Sequence, residues 1–242
     1  MVDGADHLPR RSPARRRHRR PRPPAVRRPG GVRGAVVTTP PPPDPFDAAE
    51  EVLTAGTALY RVGSTRRPLH TFNPGVGSGS RFAFFGDPPV PVLYAADTAT
   101  AALTETLLHD IPVTGGLLTS DAYTQVVMGR LLITRDLRLA SLRGLGLQRR
   151  LRVEASQLTD TPSSEYPRTV RWAEAAHRAG FDGLAWTSRL CNDSRAVVLF
   201  GDRAGDAVVQ DVCFGRYFHA GPGLDWLIDT CAPLHVDVLP PS

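Results

Sequence analysis

No lysine occurs in the 242 residues, so all 29 basic side chains are guanidinium groups, permanently charged and shaped for paired contacts to carboxylates or phosphates. Cysteine is nearly as scarce. Cys191, Cys213 and Cys231 are odd in number, widely spaced and lack a C-x-x-C pair, which argues against a disulfide framework and a cysteine zinc site and fits a reducing cytoplasm. The seven histidines show no H-E-x-x-H or other ligand spacing, so no metal is expected. No apolar run reaches the roughly eighteen residues that a membrane helix needs, and no hydrophobic segment follows the arginine-rich start as a leader would require. A G-x-S-x-G nucleophile elbow is also missing. Gly75, Gly77 and Gly79 match neither the Walker pattern nor G-x-G-x-x-G and lead away from any helix, which disfavours a dinucleotide-binding fold.

What is present divides unevenly. The chain carries a net charge of +5, yet residues 1–36 alone hold eleven Arg against Asp3 and Asp6, a net of +9, so residues 37–242 carry −4. The basic character therefore belongs to a segment of Arg, Pro and Gly that has too little apolar material to offset its ordering entropy. Residues 1–45 are read as a disordered tail, with a nucleic-acid-binding arm as the functional alternative. Residues 46–242 have an ordinary apolar content and are read as one domain.

Within that domain Asp44 is placed to cap a short helix from Phe46 to Ala55, and Ala58 to Val62 has the composition of a strand. A glycine loop, a short strand at Arg81 to Phe85 and a proline turn follow. Val92 to Ala96 reads as a buried strand, and Asp97 or Thr98 caps a helix toward His109. Ala122 to Leu139 alternates like strands. The stretch from Arg143 to Ser164 reads mostly as loop. A helix then starts around Pro167 and stops at Gly180, followed by strands at Leu184 to Trp186, Ala196 to Phe200 and Ala207 to Val212 and a short helix near Leu224 to Asp229. Strands outnumber helices, and the two clear helices are far apart, which points to a mixed α+β fold.

Glu105 falls in the first of those helices, with Ala101, Ala102 and Leu108 on its own face. A carboxylate in such surroundings is either the partner of an arginine or a functional acid. Around it the series Leu59-Tyr60-Arg61-Val62, Gly79-Ser80-Arg81-Phe82, Tyr94-Ala95-Ala96, Ala102-Leu103-Thr104-Glu105 and Phe181 through Arg189, ending on Ser188-Arg189, runs in the order of a known family. The sequence resembles the RES domain, named for its Arg, Glu and Ser, over roughly Ala58 to Arg203. Arg81 is followed here by Phe82-Ala83, a proline-rich turn separates it from Tyr94, and the stretch from Glu105 to Ser188 is long enough to look like an insert that shapes access or only adds surface.

The resemblance implies an α+β, ADP-ribosyltransferase-like fold with a compact mixed sheet and flanking helices. It implies a bacterial toxin that consumes NAD as substrate, with no further cofactor, by hydrolysis or phosphorolysis of the bond to nicotinamide, and that is neutralised by an Xre-type antitoxin. Phosphate is then a possible co-substrate, and nucleic acid is met only through the antitoxin. Carried over by motif, Arg81 would hold the NAD phosphates, Tyr94 would pack beside the nicotinamide, Glu105 would engage the reacting ribose and Ser188 would hydrogen-bond within the site, with Arg61 as a further NAD contact. Cleaving the glycosidic bond builds positive charge on the ribose, which a fixed carboxylate stabilises, and a planar guanidinium suits a pyrophosphate. Protein ADP-ribosylation and non-enzymatic nucleic-acid binding through the Arg tail are the alternatives. Taken singly, each residue also has a plain reading: Tyr94 in the core, Ser188 as a strand-end cap, Arg81 as a partner of Glu105.

Overall fold

The computed structural model describes residues 38–241. They run in the order β1 (Ala49–Leu53), β2 (Ala58–Ser64), β3 (Val92–Ala96), α1 (Ala99–Thr106), β4 (Gly116–Leu118), α2 (Ser120–Tyr123), β5 (Val126–Ile133) and β6 (Leu137–Leu142). Then come α3 (Ala155–Leu158), α4 (Tyr166–Arg178), β7 (Gly183–Thr187), β8 (Arg195–Phe200), α5 (Gly201–Ala204), β9 (Val208–Tyr217), α6 (Gly221–Cys231) and β10 (Val236–Val238). Eight strands form one sheet in the order β1-β6-β7-β8-β3-β2-β5-β9. Only β6 and β7 are parallel, joined by a crossover that contains α3 and α4. A small second sheet pairs β4 with β10.

The alternation of side chains along the strands divides the large sheet into two faces. Leu59, Leu93, Leu131, Leu139, Val197 and Leu199 bury one face in a continuous apolar cluster. The opposite face carries two clusters. In the first, Trp172, Ala173 and Ala176 of α4 pack on Ala140, Leu184 and Val198. The second gathers Ala101, Ala102 and Leu103 of α1 with Val62, Met128, Phe218 and Leu227. The helices form where local signals place them: Thr98 accepts a hydrogen bond from the Ala101 N–H at 3.1 Å and caps α1. Pro167 lies in the first turn of α4, and Gly180, at a φ of 89°, ends it.

Four expectations are corrected. Residues 49–53 are a strand, not part of a capped helix: β1 pairs antiparallel with β6 from Ala49↔Ser141 to Leu53↔Leu137, covering an edge that β6 would otherwise leave open. Glu51 on that strand meets Arg195 at 2.5 Å and Arg143 at 2.9 Å, contacts from distant sequence that override a local helix preference. Residues 81–85 form a tight turn rather than a strand, closed by exchanged backbone hydrogen bonds between Ser80 and Ala83. The stretch read as loop contains α3 and further single helical turns. Finally, the expected tail overlaps packed structure: Thr39 is buried, its N–H donates to Glu165 Oε2 at 2.8 Å, and Trp172 Nε1 donates to the Pro40 carbonyl at 2.8 Å. The remainder of that tail, residues 1–37, lies outside the described residues.

The supposed insert between Glu105 and Ser188 is also structural. It supplies β5, β6, β7 and α4, three of the eight strands of the large sheet and the helix that covers it.

Gly183 opens β7 because the backbone of β8 leaves no room there; a Cβ would lie 2.2 Å from the Val198 carbonyl oxygen. Gly183→Ala is expected to lower the unfolding free energy by about 1–3 kcal/mol, read from the midpoint of urea denaturation. Gly205→Ala, where a Cβ meets nothing within 4 Å, is expected to stay within about 0.5 kcal/mol of the parent.

Candidate active site

Between the α1 and α4 clusters the sheet carries a row of side chains across four strands. Trp186 on β7 pairs with Ala196 on β8, Ala196 with Ala96 on β3, and Ala96 with Tyr60 on β2. Direct partners in antiparallel strands point to the same face. Two aromatic residues therefore flank two alanines, and the missing bulk opens a cavity of about 330 Å³ that all four line.

Arg81, Tyr94 and Glu105 line the same cavity. Glu105 reaches it from the last turn of α1. One of its oxygens, Oε1, accepts a hydrogen bond from Ser188 Oγ at 2.5 Å, and Oε2 has no hydrogen-bond partner among the described residues. Ser188 is 1% exposed and directly follows β7. Its Oγ also accepts from the Cys191 N–H at 3.1 Å, and its own N–H donates to the Ser194 carbonyl, so backbone contacts hold the residue that donates to Glu105. The turn at the strand end thereby fixes the carboxylate.

Arg81 is 7% exposed. Its Nη2 donates to the Thr161 carbonyl at 3.2 Å, its guanidinium lies 5.7 Å from the Tyr166 ring centre, and its buried Nε has no partner. No carboxylate pairs with it among the described residues, so the plain reading of Arg81 as the ion partner of Glu105 does not hold. A buried cation without a counter-ion is costly. Tyr94 accepts from Ser80 Oγ at 2.9 Å and from the Phe82 N–H at 3.2 Å, which ties the Arg81 turn to β3. Burial pushes its phenol up to about 12, against the two hydrogen bonds and the nearby Arg81 charge, which favour the phenolate.

Arg61 stands at the cavity wall, but its Nη1 is occupied by the carbonyls of Leu69 at 2.8 Å and Thr71 at 3.0 Å. Burial holds its guanidinium down to about 10. Its visible work is to hold the loop after β2. The structure thus places Arg81, Tyr94, Glu105 and Arg61 at one cavity, with Ser188 behind Glu105 and the Nη1 of Arg61 held by backbone carbonyls. Sequence reasoning did not single out Tyr166, Trp186 or His109, which share the cavity. His109 lies past the end of α1, so helical spacing from Glu105 does not place it there. Tyr166 had no signal in the sequence, because it sits beyond the stretch read as loop.

The RES domain model matches residues 58–220. The chain belongs to the RES-domain family. No curated protein matches it. Among solved structures, this RES domain is similar in fold to the M.tuberculosis MbcT-MbcA toxin-antitoxin complex, with 15% sequence identity, a TM-score of 0.52 and coverage of 73% of this chain and 90% of that one. The expected α+β architecture, a mixed sheet with flanking helices, is the one observed. In RES terms, the Arg and Glu of the name line one cavity here, and the Ser stands behind the Glu and holds it by a hydrogen bond. Among the described residues no helix is long and apolar enough to cross a membrane, and no cluster of His, Cys, Asp and Glu suits a metal.

An absorbance titration of the tyrosines checks the Tyr94 environment. Tyr94→Phe is expected to remove from the titration a phenol that ionises near pH 12. The sign for stability follows: the neutral phenol favours the folded chain fully below about pH 10, the ordinary tyrosine value, and that contribution is lost as pH rises toward 12.

Proposed function

We propose that this RES protein is an NAD-consuming toxin of a toxin–antitoxin pair. It cleaves the bond between nicotinamide and ribose and passes the ribosyl carbon to water or phosphate in the cytoplasm, and a cognate Xre-type antitoxin restrains it. The observation that carries this reading is the carboxylate of Glu105, pinned through one oxygen by Ser188 and open through the other at the wall of a cavity. Membership of the family and the likeness in fold to a toxin–antitoxin complex support it.

In that reaction the C1′–N bond breaks, its electron pair stays on the nicotinamide nitrogen, and the ring leaves as a neutral molecule. Positive charge builds on the ribose as the bond lengthens. The free oxygen of Glu105 accepts a hydrogen bond from the 2′-hydroxyl and stabilises that charge, and the bond to Ser188 keeps the carboxylate from turning away. Arg81, buried and without a counter-ion, is matched to the pyrophosphate. The acceptor oxygen then bonds C1′ and, when it is water, releases a proton to solvent. The single acid suits an oxocarbenium stabiliser better than the paired carboxylates of ordinary glycosidases.

Purified protein incubated with NAD, with and without phosphate, is expected to release nicotinamide and form ADP-ribose or its phosphorylated counterpart. Intact NAD in both conditions from a folded chain would refute the reading, and ADP-ribose attached to protein would redirect it to protein modification. Glu105→Gln keeps size and hydrogen bonding while removing charge, and is expected to lower kcat by about 100-fold or more.

A further inference from the structure

The proposed mechanism leaves one buried donor at the cavity unexplained. Trp186 is 3% exposed and lines the cavity, yet its Nε1 has no hydrogen-bond partner among the described residues. An indole N–H can only donate, and burying it without an acceptor is disfavoured. Phenylalanine would fill much the same space without that cost. The N–H is therefore what needs explaining.

Its setting narrows the acceptor. Trp186 shares β7 with the approach to Ser188 and stands two positions before it, on the strand that fixes Glu105. Phe82 and Tyr94 surround its ring at centroid distances of 5.2 Å and 6.1 Å, and Ala196 and Ala96 keep the floor beside it low. This is a neutral donor in an aromatic, slot-like wall. The charged end of a substrate has its own match in Arg81, whose Nε is likewise buried and unpartnered. A flat ring bearing one strong acceptor, with no negative charge, fits the Trp186 end.

We propose that Trp186 is a specificity-determining residue whose Nε1–H donates to the carboxamide oxygen of nicotinamide. This rests on the reading of the cavity as the NAD-cleaving site. The hydrogen bond fixes the rotation of the leaving ring in the slot, and with it the line of the bond that breaks above Glu105. A site built around such a donor discriminates against a substrate whose acceptor is weakened.

The test compares NAD with its thioamide analogue, in which sulfur replaces the carboxamide oxygen, as substrates for the parent chain and for Trp186→Phe. The parent is expected to favour NAD in kcat/KM by about tenfold more than the variant does, a difference from which intrinsic leaving-group reactivity cancels. An equal preference in both proteins would overturn the assignment. A second readout needs neither turnover nor the variant's stability: with three tryptophans in the chain, the ¹H–¹⁵N spectrum has three indole signals. One of them is expected to shift on adding nicotinamide and to stay in place on adding pyridine. Absence of that selective shift would also overturn the proposal. If the parent leaves NAD intact while the indole shift is seen, the cleavage reading fails and the nicotinamide contact stands.

Discussion

A single hydrogen bond between residues 83 positions apart, Ser188 Oγ to Glu105 Oε1, ties the end of β7 to the last turn of α1. Neither partner is placed by local structure alone. Ser188 depends on the parallel pairing of β7 with β6 and on the turn that closes through Cys191 and Ser194; Glu105 depends on the Thr98 cap and on the apolar face that seats α1. The long segment between them is therefore a requirement of the site, since it builds the strands that carry Ser188 to the carboxylate.

The cavity follows from the same sheet. Had β8 and β3 carried bulky residues where Ala196 and Ala96 stand, the row from Trp186 to Tyr60 would be filled core like the rest of that face. Instead the two apolar clusters meet imperfectly, and the residues around the gap include a pinned carboxylate and two side chains, Arg81 and Trp186, each with a buried nitrogen that has no partner among the described residues. Buried polar groups in folded proteins are ordinarily satisfied. The lining of this cavity combines a cation, neutral aromatic rings and an anion.

Much of this was legible in the sequence where signals are local. Thr98, Pro167 and Gly180 bound their helices as expected, and β3 occupies the expected residues Val92–Ala96. The order of Arg81, Tyr94, Glu105 and Ser188 was readable only through the family pattern, because each residue alone has an ordinary structural role. What escaped depends on distant contacts: β1 is a strand because β6 needs an edge partner, and Tyr166 reaches the cavity through the crossover. The unpartnered state of Trp186 is a property of three-dimensional surroundings, and no sequence pattern encodes it. Arg61 shows the converse. A motif residue can be present and in place while one nitrogen of its guanidinium serves backbone carbonyls.

The most direct measurement is a double-mutant cycle on the rate of NAD cleavage with Ser188→Ala and Glu105→Gln. If Ser188 acts by holding the Glu105 carboxylate, Ser188→Ala slows the parent by about tenfold and has almost no effect once Glu105→Gln is present, since the group it positions has lost its charge. Equal, independent losses in both backgrounds would contradict the pairing of these two residues as the catalytic centre.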